Sequence, residues 1–377
     1  MKNLRKFLSL ALIFSLALFL AACGGGDKKQ DENKADSSKD EKQAEQKAEN
    51  KDTLYIGACI HSTDNEYWNQ EAEGVKMFAD TLPEGTAKVE VLTCDGEDEK
   101  QLNGIKAFIA SHGKNCIFYV DPSNAPNTAA IAEVCEDAGV YWTSVWHLAE
   151  GLNPNDYKYY VAHQSVDGVK QGYDIAKEMF SKFKTPGKGK ILALQGQLGN
   201  DSAVERYEGL NKALSENPDI ELLDTQVANW NSQEALKVTE TWLAKYGNDI
   251  DGIWCANDGM ALGALQALKA KGLNGTVKLC GVDGVSAALD AIEAGDLVCT
   301  VANNGYLQGG YGASYAYQVY SGKVKLDELK NRLFYTEGYF VNADNLKEYK
   351  EKFVDSTPEY DFNNLDFAVA RPMELKK

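Results

Sequence analysis

A chain of 377 residues has room for about two domains of ordinary size, each of roughly 100–200 residues. Its 44% hydrophobic and 25% charged content excludes disorder over most of its length. A net charge of −17 excludes docking on nucleic acid or anionic lipid through a basic surface, since the field repels both at long range, and suits a neutral or cationic partner.

Residues 1–22 read as a secretory signal: Lys2, Arg5 and Lys6, then an apolar run over 7–20, then Ala21-Ala22 before Cys23. The run is shorter than the ~20 residues a spanning helix needs. Leu20-Ala21-Ala22-Cys23 resembles the bacterial lipobox, which implies that Cys23 carries a diacylglycerol thioether and anchors the chain to the membrane. Residues 23–52 follow as a tether, with Ala the sole hydrophobic filler among Lys, Asp, Glu, Gln, Asn and Ser from 27 onward, too little apolar surface to order itself.

Beyond the tether, short apolar runs alternate with helix-period stretches, the pattern of βα units around a parallel sheet. Strands are expected at 54–60, 89–93, 116–120 and 140–145. Between the first two, Val75, Phe78, Ala79 and Leu82 fall at i, i+3, i+4 and i+7, a helical stripe that Pro83 ends. The rhythm restarts with strands at 190–194, 220–228, 253–255, 279–282 and 297–301 and helices at 203–215, 233–245, 260–271 and 286–294. A further helix with an apolar face is expected at 306–321, and from Lys325 onward the chain leaves the simple repeat and crosses back between lobes. Two doubly wound lobes follow.

Cys59, Cys94, Cys116, Cys135, Cys255, Cys280 and Cys299 form no C-x-x-C and have no histidine at metal-ligand spacing, so no metal site is expected. Most sit in apolar runs, which suits buried thiols, while an oxidising compartment leaves a disulfide open.

In open parallel sheets ligands bind beyond the carboxyl ends of the strands. The residues placed there include His61 to Trp68, Trp146-His147, Gln195-Gly196, Trp230, Ala256-Asn257-Asp258, Val282-Asp283-Gly284 and Ala302-Asn303-Asn304. Aromatic faces pack on the C–H face of a sugar ring, and planar amide, carboxylate and guanidinium groups match its rim of hydroxyls.

On the segments Ser62-Thr63-Asp64-Asn65-Glu66-Tyr67-Trp68, Glu205-Arg206-Tyr207-Glu208-Gly209, Ala228-Asn229-Trp230, Asn257-Asp258-Gly259-Met260-Ala261, Gly281-Val282-Asp283-Gly284 and Thr300-Val301-Ala302-Asn303, the chain resembles the type I periplasmic sugar-binding proteins. These form the ribose- and galactose-binding family that serves ABC importers. The resemblance covers residues 53–335 and implies an α/β fold of two doubly wound parallel-sheet lobes joined by a multi-strand hinge. The first lobe would be 53–162 plus about 304–336, the second 163–303 plus about 337–377. It further implies that Asn65 bonds a hydroxyl while Tyr67 and Trp68 stack from the first lobe, and that Arg206, Trp230, Asn257 and Asp283 bind from the second. Asn303 stands where the family usually has a glutamine at the hinge. Where many members end the fourth strand with Asp-Arg, this chain reads Val145-Trp146-His147. By that departure the first lobe exchanges a charged clamp for the apolar face of Trp146, which favours a deoxy sugar, a glycoside or oligosaccharide, or a nucleoside. His163 near the first crossover either adds a bond or is structural.

The chain has no G-x-x-x-x-G-K-[ST], H-E-x-x-H or G-x-S-x-G, so no enzyme, catalytic residue or cofactor is expected. A transcription regulator of the same architecture would begin with a basic helix-turn-helix, and a signal segment stands there. The expectation is an extracytoplasmic, lipid-anchored monomer that delivers a carbohydrate-like ligand to an ABC permease. A sensor subunit reporting to a membrane kinase or chemoreceptor would read the same.

Overall fold

A strand buried on both faces reads as one apolar run, and Leu-Tyr-Ile-Gly-Ala-Cys-Ile does so. It forms β1 (Leu54–Ile60), every residue of which is buried, in the computed structural model, which describes residues 53–356 and 359–375. The signal segment, Cys23 and the tether lie outside the described residues. Around β1 the first sheet runs in the order β13 (Arg371–Pro372), β11 (Leu333–Tyr335), β5 (Tyr160–Ser165), β4 (Trp142–Val145), β3 (Cys116–Val120), β1 and β2 (Ala87–Thr93). All neighbours are parallel except the β11–β13 pair.

The period of two along a strand divides this lobe's core. Leu54, Ile56, Ala58 and Ile60 face α1 (Glu66–Asp80) and the late-arriving α9 (Gly305–Tyr320), together with Val75, Phe78, Tyr311 and Tyr315. Tyr55 and Cys59 face α2 (Asp98–His112) and α3 (Ala125–Ala138), with Ile105, Phe108, Ile131 and Cys135.

The second sheet has the order β12 (Tyr339–Asn342), β10 (Cys299–Ala302), β9 (Lys278–Cys280), β8 (Gly252–Cys255), β6 (Gly189–Gln195) and β7 (Ile220–Val227), with only β12 antiparallel. Its helices are α4 (Gly168–Ser181), α5 (Asp201–Ser215), α6 (Ser232–Tyr246), α7 (Asp258–Lys271), α8 (Ser286–Glu293) and α10 (Leu346–Phe353). In both sheets the strand order reverses beside the lobe's first strand, between β1 and β3 and between β6 and β8, which sets a crevice at the carboxyl ends there.

The chain crosses between lobes after β5, after β10, after β11 and once more between β12 and β13. The first crossing therefore falls a few residues later than the expected 162/163 boundary, because Tyr160–Ser165 pairs along β4 in the first sheet. The assignment of 337–377 to the second lobe is corrected in its last part. Beyond α10, Phe362, Leu365 and Ala368 join the first-lobe core, the Phe362 carbonyl accepts from Ser314 Oγ at 2.6 Å, and β13 completes the first sheet. The seven cysteines are buried and free, and burial raises the thiol pKa of all seven.

Candidate ligand-binding site

A helix start needs a side-chain acceptor for its unpaired N–H groups, and two asparagines supply it on opposite sides of the crevice. Asn65 Oδ1 accepts from Tyr67 N at 2.9 Å at the head of α1, and Asn257 Oδ1 accepts from Met260 N at 3.0 Å at the head of α7. With its oxygen engaged, each amide keeps its N–H groups as its main offer to a ligand.

The residues lining the cavity between the lobes are His61, Asn65, Tyr67, Trp68, Asp121, Trp146, His147, Asn200, Ser202, Arg206, Trp230, Asn257 and Asp283. Eight of the nine expected ligand residues are among them. The enclosed space of about 40 Å³ holds about three or four waters at ~10–15 Å³ each, so it excludes an oligosaccharide, and even a single small ring must gain part of its room from movement of the lobes. Past Trp68 and Trp230 a wider groove opens, bordered by Asp95, Gln197, Asn229 and Ser232.

Arg206 is 3% exposed. Its Nε donates to Gln171 Oε1 at 3.0 Å and its Nη1 to the Ala256 carbonyl at 2.9 Å, while Nη2 stands 3.9 Å from Asp283 Oδ1. The guanidinium carbon lies 5.3 Å from the Trp146 ring and 5.6 Å from the Trp230 ring, within cation–π range of both. Trp146 is thus engaged by Arg206 as well as lining the cavity. Gly172 allows this placement: a Cβ there would fall 1.9 Å from the Arg206 carbonyl oxygen.

Asp283 accepts from Asn303 Nδ2 at 3.1 Å, and Asn303 Oδ1 accepts from Gln171 Nε2 at 2.7 Å. Asn303 does not line the cavity; the expectation that it binds ligand is corrected to a place behind Asp283, where its short side chain orients the carboxylate. Burial raises the Asp283 carboxyl to about 6 against the lowering pull of Arg206. Trp146, Trp230 and Asp283 have φ of 64°, 62° and 126°, a left-handed backbone that costs non-glycine residues about 1–3 kcal/mol each. Three such residues around one cavity mark it as the place where the fold tolerates strain.

Tyr67 is 4% exposed, and its hydroxyl receives Trp146 Nε1 at 2.8 Å and donates toward Glu71 Oε1 at 3.0 Å, with Gln308 Oε1 alongside. Trp68 stacks on His61 at 4.5 Å between centroids. Glu71, wholly buried, also accepts from the Tyr119 hydroxyl at 2.7 Å, and burial raises its carboxyl to about 8. His163 lies in β5, its Nδ1 2.7 Å from Ser144 Oγ, and lines not this cavity but a second one, beside Trp146, Ser165, Asp201 and Glu205; burial lowers it to about 3.

Sequence reasoning did not assign His61, Asp121, His147, Asn200 and Ser202 to the ligand. Asp121 had a signal: it is the first residue after β3, in Val120-Asp121-Pro122, the position the strand-end rule singles out. It restores an acidic group to the first lobe. Among the described residues no cluster of His, Cys, Asp and Glu could hold a metal ion.

The periplasmic binding protein domain family matches residues 56–324. The xylitol-binding protein of Mycolicibacterium smegmatis is 28% identical over 367 residues, 96% of this chain and 94% of that one. The ribose import binding protein of Haemophilus influenzae is 28% identical over 268 residues, 71% of this chain and 86% of its own. The solved twin-arginine translocation pathway signal protein of Burkholderia phytofirmans superposes with a TM-score of 0.82 at 35% identity, covering 86% of this chain and 99% of that one. The chain belongs to the periplasmic binding protein family, in its type I, two-lobed form. At the level of the family it is a solute-binding protein rather than an enzyme, of the class that serves ABC transporters, and the family implies an extracytoplasmic location.

Proposed function

We propose that the protein captures one small sugar or polyol between its lobes and hands it to the permease of an ABC importer, as a monomer held at the membrane by a lipid on Cys23. The observation that carries this reading is the cavity itself. Both lobes line it, with tryptophan faces, two N-capping amides, and the Arg206–Asp283 pair. A hydroxyl both donates and accepts, so a ring of hydroxyls meets the N–H groups of Asn65, Asn257 and Arg206 on one hand and the oxygens of Asp121 and Asp283 on the other. The enclosed space favours a monosaccharide or a short polyol over an oligosaccharide. Support for the class comes from relatives that bind xylitol and ribose. The Leu20-Ala21-Ala22-Cys23 segment supports the anchor.

The test is a thermal-shift screen over pentoses, hexoses, pentitols, inositols and nucleosides, followed by calorimetry. A ligand present at 100 times its Kd should stabilise by about 2.7 kcal/mol. A nucleoside as sole binder, or no response to any sugar or polyol, would sink the proposal. Globomycin-sensitive processing and loss of membrane fractionation in Cys23→Ala test the anchor separately.

A further inference from the structure

The acidic groups at the site outnumber the cations that reach them. Asp121 and Asp283 line the cavity, Glu71 stands behind Tyr67, and Arg206 is the only Lys or Arg in the lining. Arg206 spends Nε and Nη1 on Gln171 and the Ala256 carbonyl, and its Nη2 faces Asp283. Asp258, behind Asp283, is already met by Gly284 N, Val285 N and Thr300 Oγ.

Asp121 has no such cation. It is 3% exposed, it lines the cavity together with Trp68, and its Oδ1 has no hydrogen-bond partner among the described residues. The nearest ring nitrogen, His147 Nε2, stands 3.8 Å from that oxygen. Asn200 Nδ2 lies 2.9 Å from the same nitrogen, and an amide N–H donating there requires a lone pair on Nε2, not a proton. Burial keeps the imidazole neutral, lowering it to about 3. The acidic neighbour that acts on Asp121, Glu71, works with burial to hold a proton on it. A buried carboxyl with an unpartnered oxygen and no cation beside it is costly to ionise, and it lines the cavity between the lobes.

We infer that the ligand carries a cationic amine, an amino sugar or amino polyol whose ammonium group lies against the Asp121 carboxyl while its hydroxyls meet Arg206, Asp283, Asn65 and Asn257. This rests on the small sugar or polyol reading of the cavity. A neutral hydroxyl leaves the Asp121 carboxyl in its protonated form; an ammonium supplies the missing counter-charge, so the carboxyl ionises and accepts through a charge-assisted bond about twice as strong. The Trp68 face, stacked on His61, adds a π surface beside Asp121 that favours a cation, and the net charge of −17 draws cations to the cleft.

Calorimetric titration of the full chain with matched compounds tests this: glucosamine, galactosamine, mannosamine and an aminodeoxyinositol, each against its hydroxyl parent and its N-acetyl derivative. The expected result is an amine that binds about tenfold or more tighter than both its parent and its N-acetyl form, as a charge-assisted bond at a buried carboxylate requires. Asp121→Asn should cancel that preference, so that the amine binds no tighter than its hydroxyl parent. The wild-type comparison stands whether or not the variant folds. A neutral parent or N-acetyl compound as the best binder overturns the inference and leaves the sugar or polyol reading intact. No binding across amines, parents and acetylated forms, with none in the wider sugar and polyol screen, overturns both.

Discussion

Arg206 and Asp283 show what one pair of residues contributes when neither has water to fall back on. Truncating Arg206 to Met would leave Asp283 without its cation and the Gln171 and Ala256 oxygens without a donor. Calorimetry should show ligand affinity falling about a hundredfold, the ~2–4 kcal/mol cost of a buried group left unpaired. The buried acids also set a pH dependence. Glu71, Asp258 and Asp283 are raised to about 8, 7 and 6 by burial, so between their ordinary values and these the folded chain binds more protons than the unfolded one, and stability falls as pH rises. His147 and His163, lowered to about 3, act oppositely from there up to about pH 6.5, the ordinary histidine value. Above that only the acids remain among these five, so the melting temperature of the empty protein should decline from pH 6.5 to 8, and Glu71→Gln should flatten the decline. A flat wild-type curve would show that Glu71 is ionised and otherwise compensated. At this scale the sequence was readable where a residue follows a strand directly, as Asn65, Trp146, Trp230 and Asn257 do within a few positions. Asn303 was misread because which way a hinge side chain turns depends on Gln171, far away in sequence. The left-handed backbone of Trp146 and Trp230 has no sequence signal at all, since nothing but the tertiary fold imposes it.

Helices and strands were legible wherever periodicity alone decides them. The 54–60 and 116–120 strands fall on β1 and β3, and the 286–294 helix begins at Ser286 as α8 does; α5, α6 and α7 begin one or two residues earlier than their apolar stripes suggest because acidic and polar residues open the first turn, as Asp201, Ser232 and Asp258 do. The tail was not legible. Residues 360–375 contain short pieces with no period, and they join the first lobe because Phe362 and Ala368 find its core while β13 finds the edge of β11. How closely helices pack is likewise set by single glycines. In α9 a Cβ on Gly309 would sit 1.9 Å from the Glu71 carbonyl oxygen of α1, so Gly309→Ala must push the two helices apart. It should cost about 1–3 kcal/mol by overpacking, lowering Tm by several degrees. Gly104, inside α2 with nothing within 4 Å of its Cβ position, gives the opposite sign: Gly104→Ala should stabilise by about 0.5–1 kcal/mol through helix propensity. Denaturant melts of the two variants should diverge in direction, and equal effects would mean that the α1–α9 approach is not sterically fixed.

For the whole molecule, the lobes meet through contacts outside the ligand cavity as well as within it. Glu66 at the head of α1 accepts from Ser286 N at 3.0 Å and from Ser286 Oγ at 2.7 Å at the head of α8, and Asp201 of α5 accepts from Leu148 N at 2.9 Å. Each joins the two lobes, so each exists only when they are closed. Neither lobe alone presents the full set of ligand groups, and a ligand that touches both therefore binds the closed form more tightly and shifts the population toward it. The measured affinity is the intrinsic affinity scaled by the fraction of molecules able to close. Removing a clamp outside the enclosed cavity should then weaken binding without altering which ligands are accepted. Glu66→Ala is expected to raise Kd about three- to tenfold for every ligand in proportion, and small-angle scattering should show a larger radius of gyration for the empty variant than for the saturated one. If Glu66→Ala changes the rank order of ligands, the residue reads the ligand itself. If scattering curves of the empty and saturated wild type coincide, the lobes are closed before ligand arrives, and a permease would have no difference in shape by which to recognise the loaded protein.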